Sequence, residues 1–473
     1  MEAFEGSATL RAGRPVKTGL VPVVAGLALA ASGCLKTPDG VAASSLDATP
    51  NPPATFEHQG KPFCYAGANN YYLAYKPRPM VDDVLTSAKE LGFPVMRLWG
   101  FVDIGSLDGS VKSVDPNSDP DGKKDGAYFQ YWDSKLKRPV VNEGPDGLQR
   151  LDYAIAKAGE LGIKLILVLT NNWSDFGGMD QYLSWFGRDE HHEFYTAPEV
   201  RAAYKTWIAT LVNRRNSING RLYRDDPAIF SWELANEPRC KGTGPASSGW
   251  TNQTIVTWVS EMTSYLRSLD QNHLISIGDE GFLDGGGAHW AYRANDGVDH
   301  EAMTAVKDVD FGTFHLYPEH WGATLDWGRR WIIDHVAVAR RLGKPTVLEE
   351  YGIEVARDDQ GTIVGGLRER LEHYKIWNDT LLAEGGSGSM VWILSGLDSK
   401  GGLYPDYDKY TTYRGDETAR LLAGYAREFM NDAPACRVAD PAPDPGEPSQ
   451  FVRVRKKREK VAAASYGWAF HDG

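Results

Sequence analysis

The sequence predicts an α/β protein whose single large domain is a (β/α)₈ TIM barrel with extended βα loops. Between about residue 60 and residue 432, short apolar runs alternate with longer helical patterns, as is typical of βα units around a parallel sheet. Several runs are apolar throughout, which is expected of strands that are covered on both faces. An open doubly wound sheet would carry a glycine-rich phosphate loop after its first strand, and none is present. Eight units that close on themselves are therefore favoured over an open sheet.

Each element of the barrel can be assigned in order along the chain. The predicted strands are 63–69, 95–101, 164–171, 229–236, 274–279, 311–317, 345–350 and 389–395. The helical patterns are 81–91, 148–161, 199–218, 252–269, 325–342, 364–384 and 416–431. Three βα connections, 102–147, 172–198 and 281–310, are long, and connections of this length in a barrel usually carry function. We expect the barrel domain to cover residues 59–433.

Polar and aromatic side chains gather where the predicted strands end, which is the face at which barrel active sites are built. They are Arg97 and Trp99, Asn171 and Trp173, Asn236 and Glu237, Asp279 and Glu280, His315 and Tyr317, Glu350, and Trp392. Any one of them could be structural, since an arginine can pair with a carboxylate and a tryptophan can belong to the core. Because seven of the eight strands end in this way, we favour a functional site.

The first 33 residues have the pattern of an export signal. A basic segment precedes the apolar run from Leu20 to Ala31, which is too short to span a bilayer. Small residues then lead into Cys34, as in bacterial lipoproteins, although an alanine stands where leucine is commoner. We expect a secreted or cell-surface protein lipidated at Cys34, on the outer membrane in a Gram-negative cell. Ordinary signal-peptide cleavage nearby is the alternative. Residues 34–58 would then form a flexible tether.

Export would place the other cysteines, Cys64, Cys240 and Cys436, in an oxidising compartment. Three thiols cannot all pair, so one disulfide with one free thiol is possible, and the pairing stays open. No cysteine and histidine spacing suggests a zinc site. Residues 434–473 form a Pro-rich linker and a basic tail. We expect this segment to be disordered and solvated rather than bound to an anionic surface.

The composition excludes some partners and favours one class. The formal net charge of −12 argues against a nucleic-acid groove or an anionic lipid surface, because both need a basic face. The chain holds 15 Trp and 22 Tyr but only 8 Met. Flat apolar sugar faces stack on aromatic rings, so this composition favours a carbohydrate-active protein. A tryptophan-rich core is the other explanation.

Two glutamates carry the predicted chemistry. Glu237 ends the fourth strand within SWELANEPRC, and Glu350 ends the seventh within VLEEYG. Glycoside hydrolysis needs two carboxyl groups that flank one bond, about 5–5.5 Å apart for retention and about 6.5–9.5 Å apart for inversion. Glu349, the neighbour of Glu350, is the alternative candidate for the second carboxyl group. Since successive strand residues face opposite sides, we expect only one of the two to aim into the site.

Longer motifs surround these glutamates. They are RLWGF (97–101), YFQYWD followed by GLQRLD (147–152), LTNNWSDFGG (169–178), FYT (194–196), WELANEPRC (232–240), GDEGF (278–282), FGTFHLYPEHW (311–321) and LEEYG (348–352). With them the chain resembles glycoside hydrolase family 5, specifically its fungal and plant endo-β-1,4-mannanases, over about residues 60–430. One departure is that Lys241 and Gly242 follow Cys240, where the fungal enzymes usually carry further cysteines.

The resemblance implies catalytic roles for the residues at the predicted cleavage point. Glu237 would be the general acid/base, and Glu350 the nucleophile, since the family's nucleophile stands directly before the aromatic-Gly pair. Arg97 and Tyr317 would contact Glu350 and hold its pKa low, because opposite charge and hydrogen bonds favour the anion. His315 would lie near Glu237.

The resemblance also implies how sugars are bound. Asn236 would hydrogen-bond the 2-hydroxyl, Trp392 would be the stacking floor, and Arg239 would contact the leaving-side sugars. Trp99, Asn171, Trp173 and Trp321 complete the predicted substrate-binding set. Glu233, four residues before Glu237, would be a structural carboxylate.

We therefore expect a retaining endo-β-1,4-mannanase that acts as a monomer, without metal or cofactor, on mannan, glucomannan or galactomannan. Its contact with a membrane would be only through the N-terminal lipid. One alternative is another β-glycanase of the same clan, such as a cellulase-like enzyme. The other is a non-catalytic surface glycan-binding lipoprotein, which would have no need of both glutamates together with Asn236, Arg97 and Tyr317.

Overall fold

The computed structural model describes residues 54–111, 126–242, 248–431, 433 and 436, and the backbone of 451–453. The predicted export signal, Cys34, most of the predicted tether and most of the predicted C-terminal tail lie outside these residues and stay predictions. Within the described part of the chain, no helix has both the length and the apolar character needed to cross a membrane.

Eight parallel strands form the central sheet. They are β1 (Tyr65–Asn69), β2 (Val95–Trp99), β3 (Lys164–Val168), β4 (Ile229–Glu233), β5 (Leu274–Ser276), β6 (Gly312–Leu316), β7 (Thr346–Tyr351) and β8 (Gly388–Val391). Hydrogen-bonded neighbours run in chain order from β6 through β8 and β1 to β5. At the remaining seam, the main-chain N–H of Asp310 donates to the carbonyl of Ile275 at 2.9 Å, and that of His315 donates to the carbonyl of Glu280 at 3.1 Å. The predicted eight-stranded barrel is confirmed.

One main helix follows each strand. The helices are α1 (Arg78–Leu91), α2 (Leu148–Leu161), α3 (Pro198–Val212), α4 (Gln253–Leu269), α5 (His300–Ala305), α6 (Trp327–Leu342), α7 (Leu367–Glu384) and α8 (Glu417–Asn431). All seven predicted helices are present. The sequence did not reveal α5, because six residues are too few to show a helical period. Its start is fixed by Asp299, whose carboxylate accepts the N–H of Ala302 at 3.0 Å.

Local signals explain where several helices end. Gly92 and Gly162 follow α1 and α2 in the left-handed conformation, with φ of 78° and 72°, and there the chain turns toward the next strand. Helix α3 ends before the predicted limit at 218. The side-chain oxygen of Asn216 accepts the N–H groups of Ile218 and Asn219 at 2.8 and 3.3 Å, which makes a turn instead of another helical turn.

A layer of aromatic rings fills the amino end of the barrel. It includes the first residues of several strands and is distinct from the larger core between the strands and the helices. The ring of Phe56 meets the rings of Phe230 and Phe311 edge-on, each at 5.1 Å between centroids. Because this end is closed by apolar packing, polar chemistry is confined to the opposite, carboxyl end.

Two segments that were predicted to be flexible contribute ordered parts. Phe56–His58, assigned to the tether, is a strand that pairs antiparallel with Lys61–Phe63 and with Phe451–Arg453. Cys436, assigned to the disordered tail, forms a disulfide with Cys64. The buried ring of Phe56 and this covalent bond hold the two segments, which composition alone does not reveal. Cys240 is the free, buried cysteine among the described residues.

The connections at the carboxyl end carry additional structure. The predicted long loops hold a hairpin after β2 (Gln130–Asp133 with Arg138–Val141) and two short helices after β3 (Gly178–Trp185 and Glu193–Thr196). A further long connection, between β8 and α8, was not singled out from the sequence. It holds the pair Leu394–Ser395 and Thr412–Tyr413. These loops form the surroundings of the site described next.

Truncation of the ring of Phe230 should test the packing at the amino end. This wholly buried ring lies 5.1–6.1 Å from those of Phe56, Tyr65 and Phe311. We expect Phe230→Ala to lower the free energy of unfolding by about 3–5 kcal/mol, measured by chemical denaturation. The control Leu136→Ala, at a side chain that is 57% exposed, should change it by no more than about 0.5 kcal/mol. Equal effects of the two substitutions would contradict this account of the core.

Candidate active site

A cleft of about 610 Å³ opens at the carboxyl end of the barrel strands. Most of the predicted site residues line it, namely Trp99, Asn171, Trp173, Asn236, Glu237, Arg239, Tyr317, Trp321, Glu350 and Trp392. Arg97 and His315 do not line the cleft but are wholly buried against its glutamates. The structure thus brings together the residues that the sequence placed on separate strands.

Glu237 lies just beyond β4 in an unusual backbone conformation, with φ of 52°. A non-glycine residue is held in this region only where its surroundings fix it, and such residues cluster at functional sites. The N–H of Glu237 donates to the carbonyl of Gly278 at 2.8 Å. Its carboxylate is held on both sides, with His315 Nδ1 2.8 Å from Oε1 and the indole N–H of Trp173 donating to Oε2 at 2.6 Å.

These contacts decide the charge on Glu237. Burial raises the pKa of its carboxyl group, but hydrogen bonds from His315 and Trp173 and the charge of Arg239 outweigh burial and bring the pKa to about 2. Burial lowers the pKa of His315, and the charges of Glu350 and Glu237 outweigh it, so that the pKa is well above 6.5. In the free site the proton therefore resides on the imidazole rather than on the carboxylate.

Glu350 is held by the two residues that the resemblance implied. Arg97 Nη1 forms an ion pair with Oε1, and the hydroxyl of Tyr317 donates to Oε2 at 2.8 Å. The pKa of Glu350 is nevertheless raised, because burial and the nearby charge of Glu237 outweigh these contacts and the charge of His315. The predicted contacts are thus present, while the expected low pKa is wrong in direction.

The guanidinium of Arg97 connects four elements beneath the cleft. Its Nε donates to Glu233 Oε1 at 2.8 Å, Nη1 donates to the side chain of Asn69 at 3.1 Å, and Nη2 donates to that of Asn236 at 2.9 Å. Burial and the neighbouring Glu349 raise the pKa of Glu233 well above its ordinary value in spite of Arg97. The structural role predicted for Glu233 agrees with this position.

Glu349 and Glu350 both approach Arg97, although they are neighbours on β7. Glu349 Oε2 lies 3.6 Å from Arg97 Nε, and Glu350 contacts Nη1. As expected, only one of the two, Glu350, aims into the cleft, but both reach the guanidinium because the register between β6 and β7 shifts here. Phe314 pairs with Leu348 and His315 pairs with Glu350, which leaves Glu349 as the extra residue of a β-bulge. Only Glu350 reaches the cleft.

The two cleft glutamates lie close together. One carboxylate oxygen from each and one nitrogen of His315 lie within 4.8 Å of one another, a spacing that a metal ion could share. Glu237 and His315, however, are hydrogen-bonded to each other, and both oxygens of Glu350 are engaged by Arg97 and Tyr317. That the chemistry needs no metal stays a prediction, and these contacts are consistent with it.

Hydrogen bonds and ring contacts fix the orientation of the side chains that were predicted to bind substrate. The side-chain N–H of Asn236 donates to Asn171 Oδ1 at 3.0 Å, so both amide orientations are set. The guanidinium of Arg239 lies between the rings of Trp173 and Phe282, at 5.2 and 4.8 Å from their centroids. Glu280 holds this guanidinium through two hydrogen bonds of 2.5 and 2.6 Å.

Trp392 forms part of another wall of the cleft. Its indole N–H donates to Asp408 Oδ2 at 2.7 Å, and its ring stacks near that of Tyr71 at 6.1 Å between centroids. Asp408 and Tyr410 come from the connection after β8 and were not predicted. The sequence feature that could have revealed them is the stretch 404–413, which is rich in tyrosine and aspartate and so resembles the aromatic composition of the rest of the site. Trp321 lines the cleft near Trp290, whose indole N–H donates to its carbonyl at 3.0 Å.

Comparisons with known proteins agree with this geometry. A family model described as GH family 5 beta-mannosidase-like matches residues 53–383. The chain is 36% identical over 381 residues to mannan endo-1,4-beta-mannosidase A of Podospora anserina, across 80% of this chain and 90% of that relative. It is 36% identical over 304 residues to the protein of the same name from Aspergillus aculeatus, across 63% and 72%.

Solved structures show the same fold. The structure of the endo-1,4-beta-mannanase from Rhizomucor miehei matches with a TM-score of 0.69 at 36% identity, across 80% of this chain and 98% of that chain. The endo-beta-1,4-mannanase from Thermotoga petrophila matches with a TM-score of 0.66 at 40% identity, across 79% and 78%.

Substitution of the cleft glutamates should separate them from Glu349. We expect Glu237→Gln and Glu350→Ala to lower kcat for glycoside hydrolysis by at least about 100-fold and up to about 10⁴-fold, because each removes a reacting group. Glu349→Gln should lower kcat much less, because Glu349 does not reach the cleft. Circular dichroism and thermal unfolding would check that each variant folds. Loss of activity in Glu349→Gln with retention in Glu350→Ala would reverse the assignment.

Proposed function

The chain belongs to glycoside hydrolase family 5, in its beta-mannosidase-like group, and we propose that it is an endo-β-1,4-mannanase. Its substrates would be mannan, glucomannan or galactomannan, cut at internal β-1,4-mannosidic bonds. The observation that carries the proposal is the close pair of Glu237 and Glu350 inside a cleft lined by aromatic and amide groups. Relatives at 36% identity across most of the chain are named as mannan endo-1,4-beta-mannosidases, which supports the choice of substrate.

The separation of the two glutamates supports a retaining, double-displacement mechanism. One oxygen of each lies within 4.8 Å of one oxygen of the other, which is closer to the spacing of about 5–5.5 Å in retaining enzymes than to the wider spacing of about 6.5–9.5 Å in inverting enzymes. In the first step, Glu350 bonds to the anomeric carbon as the glycosidic bond breaks, and Glu237 gives its proton to the leaving oxygen. In the second step, water attacks the same carbon, Glu237 takes a proton from it, and the bond to Glu350 breaks.

The position of the proton in the free site prepares the first step. The proton that the leaving oxygen needs is held by His315, 2.8 Å from Glu237 Oε1. Transfer along this hydrogen bond protonates Glu237 when the sugar displaces water from the cleft. Tyr317 and Arg97 orient the two oxygens of Glu350 for attack.

Binding groups on either side of the pair suit a chain that is cut internally. Trp392, Tyr71 and Asp408 form one wall, while Arg239, Trp173 and Trp321 belong to another part of the cleft. Asn236 lies beside Glu237 with its amide fixed by Asn171 and Arg97, and it is the group placed to recognise the 2-hydroxyl. This hydroxyl is what distinguishes a mannoside from a glucoside.

Export and lipid attachment at Cys34 remain proposals from the sequence. Cys34 lies outside the described residues, and the Podospora and Aspergillus relatives, which are fungal, lend no support to a bacterial lipoprotein. The catalytic proposal does not depend on the location of the protein.

A panel of polysaccharides should test the substrate directly. We expect reducing ends to be released from glucomannan and galactomannan, and far fewer from cellulose or xylan, because the relatives that cover most of the chain are named as mannan endo-1,4-beta-mannosidases. Glu350→Ala is the matched control for background hydrolysis. Cellulose as the preferred substrate would favour a cellulase-like enzyme of the same clan, and binding without hydrolysis would favour a glycan-binding protein.

The stereochemistry of the first products should test the mechanism. Proton NMR at early times should show the β-anomer before mutarotation, as double displacement requires. EDTA should leave the rate unchanged, since the atoms that could bind a metal are engaged within the protein. An early α-anomer, or inactivation by EDTA that added metal restores, would overturn this mechanism.

A further inference from the structure

Glu349 is a buried carboxylate that the mechanism above does not use. Its side chain is wholly buried, and neither of its oxygens makes a hydrogen bond of ordinary geometry among the described residues. It nevertheless lies beside both cations of the site, with Oε2 3.6 Å from Arg97 Nε and 3.7 Å from His315 Nε2. A buried carboxylate in such a position carries a large electrostatic influence, because little water screens it.

His315 stands between Glu349 and the acid/base glutamate. Its Nδ1 faces Glu237 Oε1 at 2.8 Å, and its Nε2 faces Glu349 Oε2 at 3.7 Å. The charged groups that interact with the imidazole are Glu237 beyond β4, Glu280 beyond β5, and Glu349 and Glu350 on β7. Arg97, Arg239 and Tyr317 contact these carboxylates in turn, and from α6 the indole N–H of Trp331 donates to the carbonyl of His315. Among the described carboxylates, Glu349 is the one placed on the Nε2 side.

The reaction changes the charge of every other carboxylate that contacts His315 within ion-pair distance. Glu237 is protonated before the leaving group departs and anionic afterwards, while Glu350 is anionic at first and an ester in the intermediate. Glu349 forms no bond to substrate, so its charge stays constant through both steps. A constant charge at Nε2 favours the imidazolium before each turnover, with Nδ1–H directed at Glu237, and draws the proton back to His315 after water has given it to Glu237.

We propose that Glu349 is a positioning residue that acts through Nε2 of His315: it holds the imidazolium with Nδ1–H toward Glu237, ready to supply the proton for the leaving group and to take it back afterwards. This inference rests on the proposed hydrolytic function and adds a residue to its acid/base machinery. Glu349 does not touch the substrate, since it does not line the cleft.

The balance of charges is consistent with this role. Burial raises the pKa of Glu349, but Arg97 and His315 outweigh burial, so its pKa is lowered and it stays anionic. Burial raises the pKa of Glu233, the other buried carboxyl group at Arg97, well above its ordinary value. His335 on α6 is neutral, because burial lowers its pKa to about 3. The fixed negative charge behind His315 therefore belongs to Glu349.

The pH profile of Glu349→Gln in the full chain should test the proposal. Above the pKa of His315 the pair with Glu237 loses the proton that the leaving oxygen needs, so activity falls on the basic side. Removal of the charge behind Nε2 should lower that pKa, and the basic limb of kcat/KM should move to lower pH by about one unit. Asp152→Asn is the matched control, because it also removes a wholly buried carboxylate that pairs with an arginine, Arg214, and Asp152 has no ion-pair contact with His315. It should leave the basic limb in place.

Leaving-group dependence gives a second readout that a purely structural role would not move. At neutral pH, Glu349→Gln should lower kcat/KM on mannan about 10-fold, and much less on a 2,4-dinitrophenyl β-mannoside, whose leaving group needs no proton. His315→Gln should show the same dependence. If kcat/KM falls equally on both substrates and the basic limb stays in place, Glu349 only neutralises the charge of Arg97, and the proposal is overturned.

Two further outcomes keep the test decisive. If thermal unfolding shows that Glu349→Gln does not fold, Glu349→Asp keeps the charge but draws it away from Nε2. It should shift the basic limb in the same direction by a smaller amount, and no shift would count against the proposal. A wild type that cleaves a β-glucan instead of mannan would overturn the proposed substrate, while the same pH and leaving-group tests could be run on the corresponding glucosides.

Discussion

The buried guanidinium of Arg97 is the interaction on which the rest of the site depends. From β2 it reaches Asn69 on β1, Glu233 on β4, Asn236 beyond β4 and the glutamates of β7. A charge that is wholly removed from water is tolerated only with such partners, and loss of one member of a buried pair costs about 3–5 kcal/mol. The carboxyl ends of four strands are therefore held in one arrangement by a single side chain. The same bonds that satisfy Arg97 orient the amide and the carboxylate that face the cleft.

Around this cation the site contains more acids than bases. Glu233, Glu237, Glu280, Glu349 and Glu350 face Arg97, Arg239 and His315. Protonation relieves part of the excess, since burial raises the pKa of Glu233 well above its ordinary value and that of Glu280 to about 7. The carboxylates that remain charged are in place before the substrate arrives, which suits a reaction in which positive charge develops at the anomeric carbon.

The sequence revealed most of the barrel and the catalytic pair, for identifiable reasons. Strands and long helices have hydrophobic periods that can be recognised in a single sequence. The residues at the strand ends of a barrel converge on one face, so Glu237, Arg97 and Tyr317 could be placed together. The bulge at Glu349 could not be seen, because a shift of register depends on the pairing partner and not on the strand itself. Helix α5 was too short to show a period. The Cys64–Cys436 bond and the buried Phe56 depend on contacts between distant parts of the chain, so segments judged flexible by composition are anchored.

The strand Phe56–His58, paired with both Lys61–Phe63 and Phe451–Arg453, brings an early and a late part of the chain side by side at the amino end of the barrel. The disulfide between Cys64, which directly precedes β1, and Cys436, which follows α8, joins the same two parts covalently. For protein engineering, this makes the closed end the natural place for a fusion partner, an affinity handle or the joint of a circular permutant. A molecule immobilised by such a handle would present its open face outward, accessible to an insoluble polymer, with the loops that shape the cleft left uncut.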